Sequence, residues 1–222
     1  MTTLAMRKPH ADRGIEGLAA KWYAANTGEM MKEYVDLARR IADEVPEGSA
    51  VLEVAPGPGY FCIEFAKLGS YAITGVDISR TMVAIAAKKA AEAGVNTDFK
   101  QGSASKLPFP SKSFDFLLCR AAFKNFAKPV EALQEMSRVL RPGGRALIID
   151  LKRNASAEEI SRGIDEMHLS RFNRLLTKLV FKKMLIKSAY TKEEFQEMLW
   201  EASFSEYEIH ENYMGFEIWM TK

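Results

Sequence analysis

The sequence predicts an α/β fold built around a mostly parallel, seven-stranded sheet that helices cover on both faces. Two observations support this prediction. Short apolar segments alternate with segments of helical periodicity between residues 49 and 151, which is typical of strand–helix–strand units. The last two apolar segments are separated only by residues 212–215, too few for a helical crossover, so we expect them to form an antiparallel hairpin that gives the sheet an antiparallel C-terminal edge strand.

The predicted strands are short and mostly apolar, and they span residues 49–55, 72–76, 97–101, 114–119, 145–151, 206–211 and 216–221. The helices between the first five strands span residues 60–68, 80–93 and 129–140. Ser79 directly precedes the second of these helices, where its hydroxyl can cap free backbone N–H groups. Pro142 and the two glycines after it mark the end of the third helix.

The remaining segments complete a single domain of 222 residues. Residues 1–45 are expected to form N-terminal helices, with a break near Asn26, and residues 49–151 form the ligand-binding core. Residues 154–188 are basic and mostly helical in pattern, and we interpret them as a lid inserted after the core. A helix and the closing hairpin occupy residues 191–222.

Composition excludes several classes of protein. No apolar run approaches the ~20 residues needed to cross a bilayer, and we expect a soluble, cytoplasmic protein. Cys62 and Cys119 lie inside apolar segments, which favours buried free thiols and gives no support to a metal or redox site. A net charge of +2 and a pI near 8.4 argue against nucleic-acid binding.

Two acidic residues lie at the ends of the first two predicted strands in a pattern that indicates a nucleoside ligand. Glu53 precedes the turn 56–59, whose glycines allow the backbone to approach a ligand at a helix N-terminus. Asp77 ends the next strand, 18 residues after Gly59, where an acid can accept both hydroxyls of a ribose. A nicotinamide-dependent oxidoreductase is a weaker alternative, because its G-x-G-x-x-G pattern requires glycine or alanine where Cys62 stands.

Five segments in this order resemble the Rossmann-like, class I methyltransferases that depend on S-adenosylmethionine (SAM), especially the small-molecule branch that includes the ubiquinone and menaquinone C-methyltransferases. The segments are residues 51–59, 75–79, 102–104, 113–116 and 138–144. The resemblance covers residues 19–222 and implies an enzyme that moves a methyl group from SAM to a small-molecule acceptor. A noncatalytic SAM-binding regulator is the remaining alternative.

The resemblance also implies roles for individual residues. Glu53 would hold the ammonium of SAM, Asp77 the ribose and Ile78 the adenine. The other expected cofactor-binding residues are Tyr23 as a cover, Ala55, Gly57, Gly59, Ser103, Ala104 and Arg120. Two of these depart from the family pattern: Ala55 replaces its first glycine, which is tolerable if the dihedral angles there are ordinary, and Ser103 replaces an acid that often binds the adenine amino group.

The acceptor is expected beyond the fourth and fifth strands. The predicted pocket residues are Phe123, Lys124, Asn125 and Lys152. Arg120 and Arg153 add two cations to the two lysines, which predicts an acidic acceptor paired with Lys124, while the phenylalanine suits an aromatic one. Asp150 and His168 are the candidate bases, although Asp150 could equally be an ion-pair partner.

Residues 170–187 alternate apolar and basic positions at helical spacing. We favour a lid over the acceptor pocket and keep membrane contact on anionic lipid as the less favoured alternative. Methylation of nucleic acid is not expected, because the sequence has neither an Asn/Asp-Pro-Pro-Tyr-type motif nor an appended binding module.

Overall fold

The computed structural model describes residues 14–28, 31–166, 186–202, 204 and 206–222. The strands are β1 (Ala50–Val54), β2 (Ala72–Asp77), β3 (Asp98–Gln101), β4 (Phe114–Arg120), β5 (Leu140–Leu151), β6 (Glu206–Glu211) and β7 (Gly215–Thr221). They form one sheet in the order β3-β2-β1-β4-β5-β7-β6. The helices are α1 (Gly17–Thr27), α2 (Met31–Ala42), α3 (Tyr60–Ala66), α4 (Arg80–Glu92), α5 (Pro129–Val139), α6 (Ala157–Glu166), α7 (Ile186–Ser188) and α8 (Lys192–Glu201).

The predicted α/β architecture is confirmed. Strands β1 to β5 are parallel, and β7 pairs antiparallel with both β5 and β6, so the closing hairpin forms as expected. β5 starts at Leu140, five residues before the predicted start, because Leu140 already pairs with Phe114 ahead of the glycine segment. The register between β4 and β5 then shifts before Phe116 pairs with Arg145.

Apolar side chains cover both faces of the sheet. On one face α5 and α8 bury Met136 and Phe195 against the strands, and on the other α2 and α3 bury Ile41 and Phe61. Because β1 to β5 are parallel, their carboxyl ends lie at one common edge, where ligands of such sheets bind. Both cysteines are buried and free, as predicted. Within the described part of the chain, no helix combines the length and apolarity needed to span a membrane.

Helix α1 is fastened at this edge by residues just before it. The carboxylate of Glu16 accepts hydrogen bonds from the backbone N–H groups of Arg80 (3.0 Å) and Thr81 (3.1 Å) at the start of α4. Ser79 donates its hydroxyl to the carbonyl of Ile15 (2.7 Å) and caps α4 through the N–H of Met82 (3.0 Å). The N-terminal segment therefore lies next to the second strand end, beside Asp77.

Candidate active site

Glu53 is a buried carboxyl near the end of β1. Its side chain is 3% exposed, and its Oε2 accepts a hydrogen bond from the Cys62 thiol, with the two atoms 3.0 Å apart. Burial raises the pKa of Glu53 to about 7, although the thiol and the positive charge of Arg120 both favour the ionised form. A cationic ligand placed against this carboxyl would stabilise its charged form.

The turn after β1 is shaped by close contacts that exclude larger side chains. Gly59 has φ +78°, and a Cβ there would lie 2.8 Å from the ring of Phe99 and 2.9 Å from the Cβ of Ala86. Gly57 has φ +54°, and Tyr23 of α1 lies close to it, 3.9 Å from the position of an added Cβ. The turn thus keeps a bare backbone surface with an aromatic ring above it.

Asp77 ties this turn to the end of β2. Its carboxylate accepts hydrogen bonds from the N–H of Gly57 (3.1 Å) and the N–H of Ser79 (2.9 Å). Burial raises the pKa of Asp77, and these backbone donors oppose the rise. Because β1 and β2 are adjacent and parallel, the two acids Glu53 and Asp77 lie at the same edge of the sheet on either side of the glycine turn.

The predicted adenine-binding residues lie at the neighbouring strand ends. Ile78 is half-buried and directly follows β2, while Ser103 and Ala104 follow β3. The hydroxyl of Ser103 hydrogen-bonds with that of Ser105 (3.0 Å). These positions suit apolar contact and neutral hydrogen bonding to a base rather than a charge-assisted bond.

Ala55 does not have the ordinary dihedral angles under which an alanine can replace the first glycine of the family pattern. Its φ is +58°, a left-handed conformation that L-residues with a Cβ rarely adopt, so the backbone at this position is strained. Ala121 at the end of β4 has the same φ of +58°. Each alanine donates its N–H to a neighbouring strand, to Val76 (2.8 Å) and Ile149 (2.7 Å) respectively, and these bonds hold the unfavourable conformation.

We expect Ala55→Gly to stabilise the fold slightly. Relief of about 1–2 kcal/mol of left-handed strain is partly offset by about 0.4–1 kcal/mol of extra unfolded-chain entropy. The matched control is Ala93→Gly, since Ala93 has an ordinary φ of −80° and should lose stability on substitution. Urea unfolding of both variants checks this; a loss of stability at Ala55 equal to that at Ala93 would contradict it.

Arg120 ends β4 beside Glu53 and is held by helix α2. Its Nη2 lies 2.6 Å from Oε2 of Glu33, and its guanidinium carbon lies 4.5 Å from the ring centroid of Tyr34. Burial raises the pKa of Tyr34 to about 12, although the charge of Arg120 opposes the rise. Burial also raises the pKa of Tyr23, where Arg120 opposes and Asp77 adds to the effect. Tyr23 is therefore close enough to Arg120 and to Asp77 for both charges to affect its pKa.

Sequence reasoning missed three residues of this site. Glu33 and Tyr34 contact Arg120 across 87 and 86 positions, and nothing in the local sequence of α2 signals that contact. Cys62 lies on the first turn of α3, three residues after Gly59, and faces Glu53 nine residues earlier. Its place one helical turn after the last glycine is a signal that could have identified it.

The acceptor side differs from the sequence-based expectation at Lys124 and Asp150. Their side chains form an ion pair with 2.9 Å between Nζ and Oδ1, and they are only 4% and 1% exposed. The Lys124 ammonium also donates to the carbonyl of Ala121 (2.5 Å), and the backbone N–H of Lys124 donates to Oδ2 of Asp150 (2.8 Å). Lys124 is therefore engaged by the protein itself, and Asp150 is the ion-pair partner rather than a free base.

The other two cations also carry carboxylate partners. Lys152 lies 3.0 Å from Glu159 and 3.8 Å from Glu211, and Arg153 forms an ion pair with Glu194. These ion pairs reduce the support for an acidic acceptor, which was expected because four cations follow the ends of the fourth and fifth strands.

The structure describes two further predicted pocket residues, Phe123 and Asn125, but not most of the predicted lid. Phe123 is fully buried, with its ring centroid 5.1 Å from that of Phe195, so it is a core residue rather than a pocket wall. Asn125 is exposed. His168 and residues 170–185 of the predicted lid lie outside the described residues.

Part of the sequence matches a known family of proteins. Residues 52–148 match the family model of the methyltransferase domain. A ubiquinone/menaquinone biosynthesis C-methyltransferase of Bdellovibrio bacteriovorus is 38% identical over 104 residues, which cover 46% of this chain and 44% of that protein. A corresponding enzyme of Hahella chejuensis is 31% identical over 153 residues, 66% of this chain and 61% of that protein. The chain thus spans under half the length of the first of these relatives.

Solved structures show the same fold. A putative SAM-dependent methyltransferase of Methanococcus maripaludis superimposes with a TM-score of 0.77 at 24% identity over 97% of both chains. The cyclase SpnF superimposes with a TM-score of 0.64 at 21% identity over 85% of this chain and 80% of that one. Identities this low establish the fold alone. Residues 52–148 thus match a methyltransferase domain in sequence, and the chain has the fold of a solved SAM-dependent methyltransferase.

Proposed function

We propose that this protein transfers the methyl group of SAM to a small-molecule acceptor. The observation that carries the proposal is the pair of buried acids, Glu53 and Asp77, on either side of the glycine turn 56–59. SAM has a matching set of groups, because it carries an ammonium at one end and a ribose diol toward the other. Within the described residues, no side-chain cation lies within ion-pair distance of Glu53, so the ammonium would supply the missing countercharge.

The remaining groups of SAM have partners at the same edge. Arg120 is placed to attract the carboxylate of the amino-acid end, and Tyr23 covers the turn. SAM would supply an electrophilic methyl on a sulfonium: the acceptor would bond to that carbon as S-adenosylhomocysteine leaves, and the acceptor's proton would pass to solvent. The protein would contribute orientation and exclusion of water, which can account for most of the acceleration of such a displacement.

The acceptor we favour is aromatic and quinone-like rather than acidic. Among the described residues, the three cations nearest the acceptor are each paired with a carboxylate, Lys124 with Asp150, Lys152 with Glu159 and Arg153 with Glu194, so these cations leave no unpaired charge for an anion. Relatives that match about half of this chain are named as C-methyltransferases of ubiquinone and menaquinone biosynthesis. Asp150 is occupied by Lys124, so we assign it no role as general base, and the acceptor would enter in an electron-rich, reduced form.

Thermal-shift and turnover measurements test this proposal together. SAM and S-adenosylhomocysteine should raise the melting temperature, since a ligand at 100 times its dissociation constant stabilises by ~2.7 kcal/mol. Nicotinamide cofactors serve as the negative control, and stabilisation by them alone would favour an oxidoreductase. Incubation with methyl-labelled SAM and reduced demethylated quinones should then yield a labelled product. Binding without label on any acceptor from a metabolite extract would favour a SAM-binding regulator.

A further inference from the structure

We infer that Cys62 is a positioning residue whose thiol keeps the Glu53 carboxyl oriented and ionised for the ammonium of SAM. This inference rests on the proposed function. It concerns a residue outside the glycine turn that contacts the cofactor only through Glu53. Cys62 has no other assigned part in the site.

The two side chains are held together by the start of α3. Gly59 ends the turn with a left-handed φ of +78°, and α3 begins at the next residue, which puts Cys62 on its first turn. Cys62 is fully buried and Glu53 nearly so, and Sγ lies 3.0 Å from Oε2. The stacked rings of Phe61 and Phe65, with centroids 5.3 Å apart, anchor the same helix in the core. The thiol therefore contacts Glu53 in a fixed geometry.

The thiol is the donor in this bond and Glu53 is the acceptor. Burial and the neighbouring Glu53 charge raise the pKa of Cys62 well above its ordinary value, so the sulfur keeps its proton at neutral pH. The other titratable or charged groups around Glu53 are Arg120 and Cys119 of β4, Asp77 of β2 and Tyr34 of α2. Arg120 is itself paired with Glu33, so among the described residues the direct contacts that favour the ionised carboxyl come from Cys62, through its thiol and, to a smaller extent, its backbone N–H. Only the thiol contact is lost in Cys62→Ala.

The sign of the pH effect follows from the charge of the ligand. An ammonium binds the ionised carboxyl and not the protonated one, and the pKa of Glu53 is raised to about 7 by burial. SAM affinity should therefore increase as pH rises through about 7. Loss of a donor to the carboxylate raises the pKa of Glu53 further, so the increase should move to higher pH in Cys62→Ala. The ligand's own amino group titrates identically with every variant, so differences between variants report on the protein.

Calorimetric titration of SAM at several pH values between about 6 and 9 tests the inference. Near neutral pH, Cys62→Ala should bind SAM about three- to tenfold more weakly than the unmodified protein, a range set by the loss of one hydrogen bond of ordinary strength, because a thiol is a weak donor. The two affinities should converge at high pH, where Glu53 is ionised in both. Cys62→Ser keeps a donor at the same position and should restore the original pH midpoint.

Two further variants separate positioning from packing. Cys119→Ala removes the other fully buried thiol, which makes no hydrogen bond to Glu53, and should leave the pH midpoint unchanged. Glu53→Gln cannot ionise and should remove the pH-dependent increase whether Cys62 is present or replaced by alanine. Parallel pH profiles for Cys62→Ala and the unmodified protein, or a serine variant that behaves as the alanine variant does, would overturn the inference. Absence of SAM binding to the unmodified protein would instead refute the proposed function.

Discussion

Lys124→Met is expected to destabilise the fold by about 3 kcal/mol or more, because it leaves the carboxylate of Asp150 buried without its countercharge. Two backbone N–H groups, of Lys124 and Leu151, still donate to that carboxylate (2.8 Å each), which keeps the loss at the lower end of the usual range for a broken buried pair. Urea unfolding measures the effect directly.

The comparison with Lys152→Met distinguishes a buried pair from a more open one. The partner of Lys152, Glu159, is 35% exposed and can regain solvent when the lysine is lost, so we expect less than half the destabilisation seen at Lys124. A double variant, Lys124→Met with Asp150→Leu, should recover part of the stability because no buried charge is left. A change at Lys124 below about 1 kcal/mol, together with a raised KM for the acceptor, would show that this lysine binds the acceptor after all.

Asp77→Ala is expected to weaken SAM binding at least tenfold, because hydrogen bonds to a charged acceptor contribute about 1.5–3 kcal/mol. The same change leaves the N–H groups of Gly57 and Ser79 without their acceptor, so we also expect a measurable loss of stability. Calorimetry with SAM gives the first quantity and thermal unfolding the second.

Asp77→Asn separates the two effects. The amide oxygen can still accept from one backbone N–H, so stability should largely return, while the neutral side chain binds the ribose hydroxyls more weakly than a carboxylate does. The control is Asp98→Ala on β3, whose carboxylate is exposed and, among the described residues, forms an ion pair with Lys100 at 3.1 Å. Unchanged SAM affinity in Asp77→Ala would show that the ribose site lies elsewhere.

Local patterns in the sequence were sufficient for the architecture and for placing Glu53 and Asp77 at one edge of the sheet. Apolar segments of strand length alternate with helical ones, and a hairpin too short for a crossover makes β6 and β7 antiparallel. The acids Glu53 and Asp77 could be identified because each lies at the end of a predicted strand, at a characteristic distance in sequence from the glycine turn. Such features depend on residues close in sequence, and the parallel sheet then brings consecutive strand ends to one edge.

The balance of charge at the site was decided only by the tertiary structure. Lys124 and Asp150 are 26 positions apart and Arg120 and Glu33 are 87 apart, and each pair forms because separate strands and helices pack side by side. Residue types alone show that cations follow β4 and β5, but they cannot show which carboxylates face them. The conformation of Ala55 was likewise set by a hydrogen bond to the adjacent strand, which holds a positive φ that the residue by itself disfavours. Local sequence determines where a chain turns. Packing of distant segments determines which charges pair and which strained backbone conformations are held.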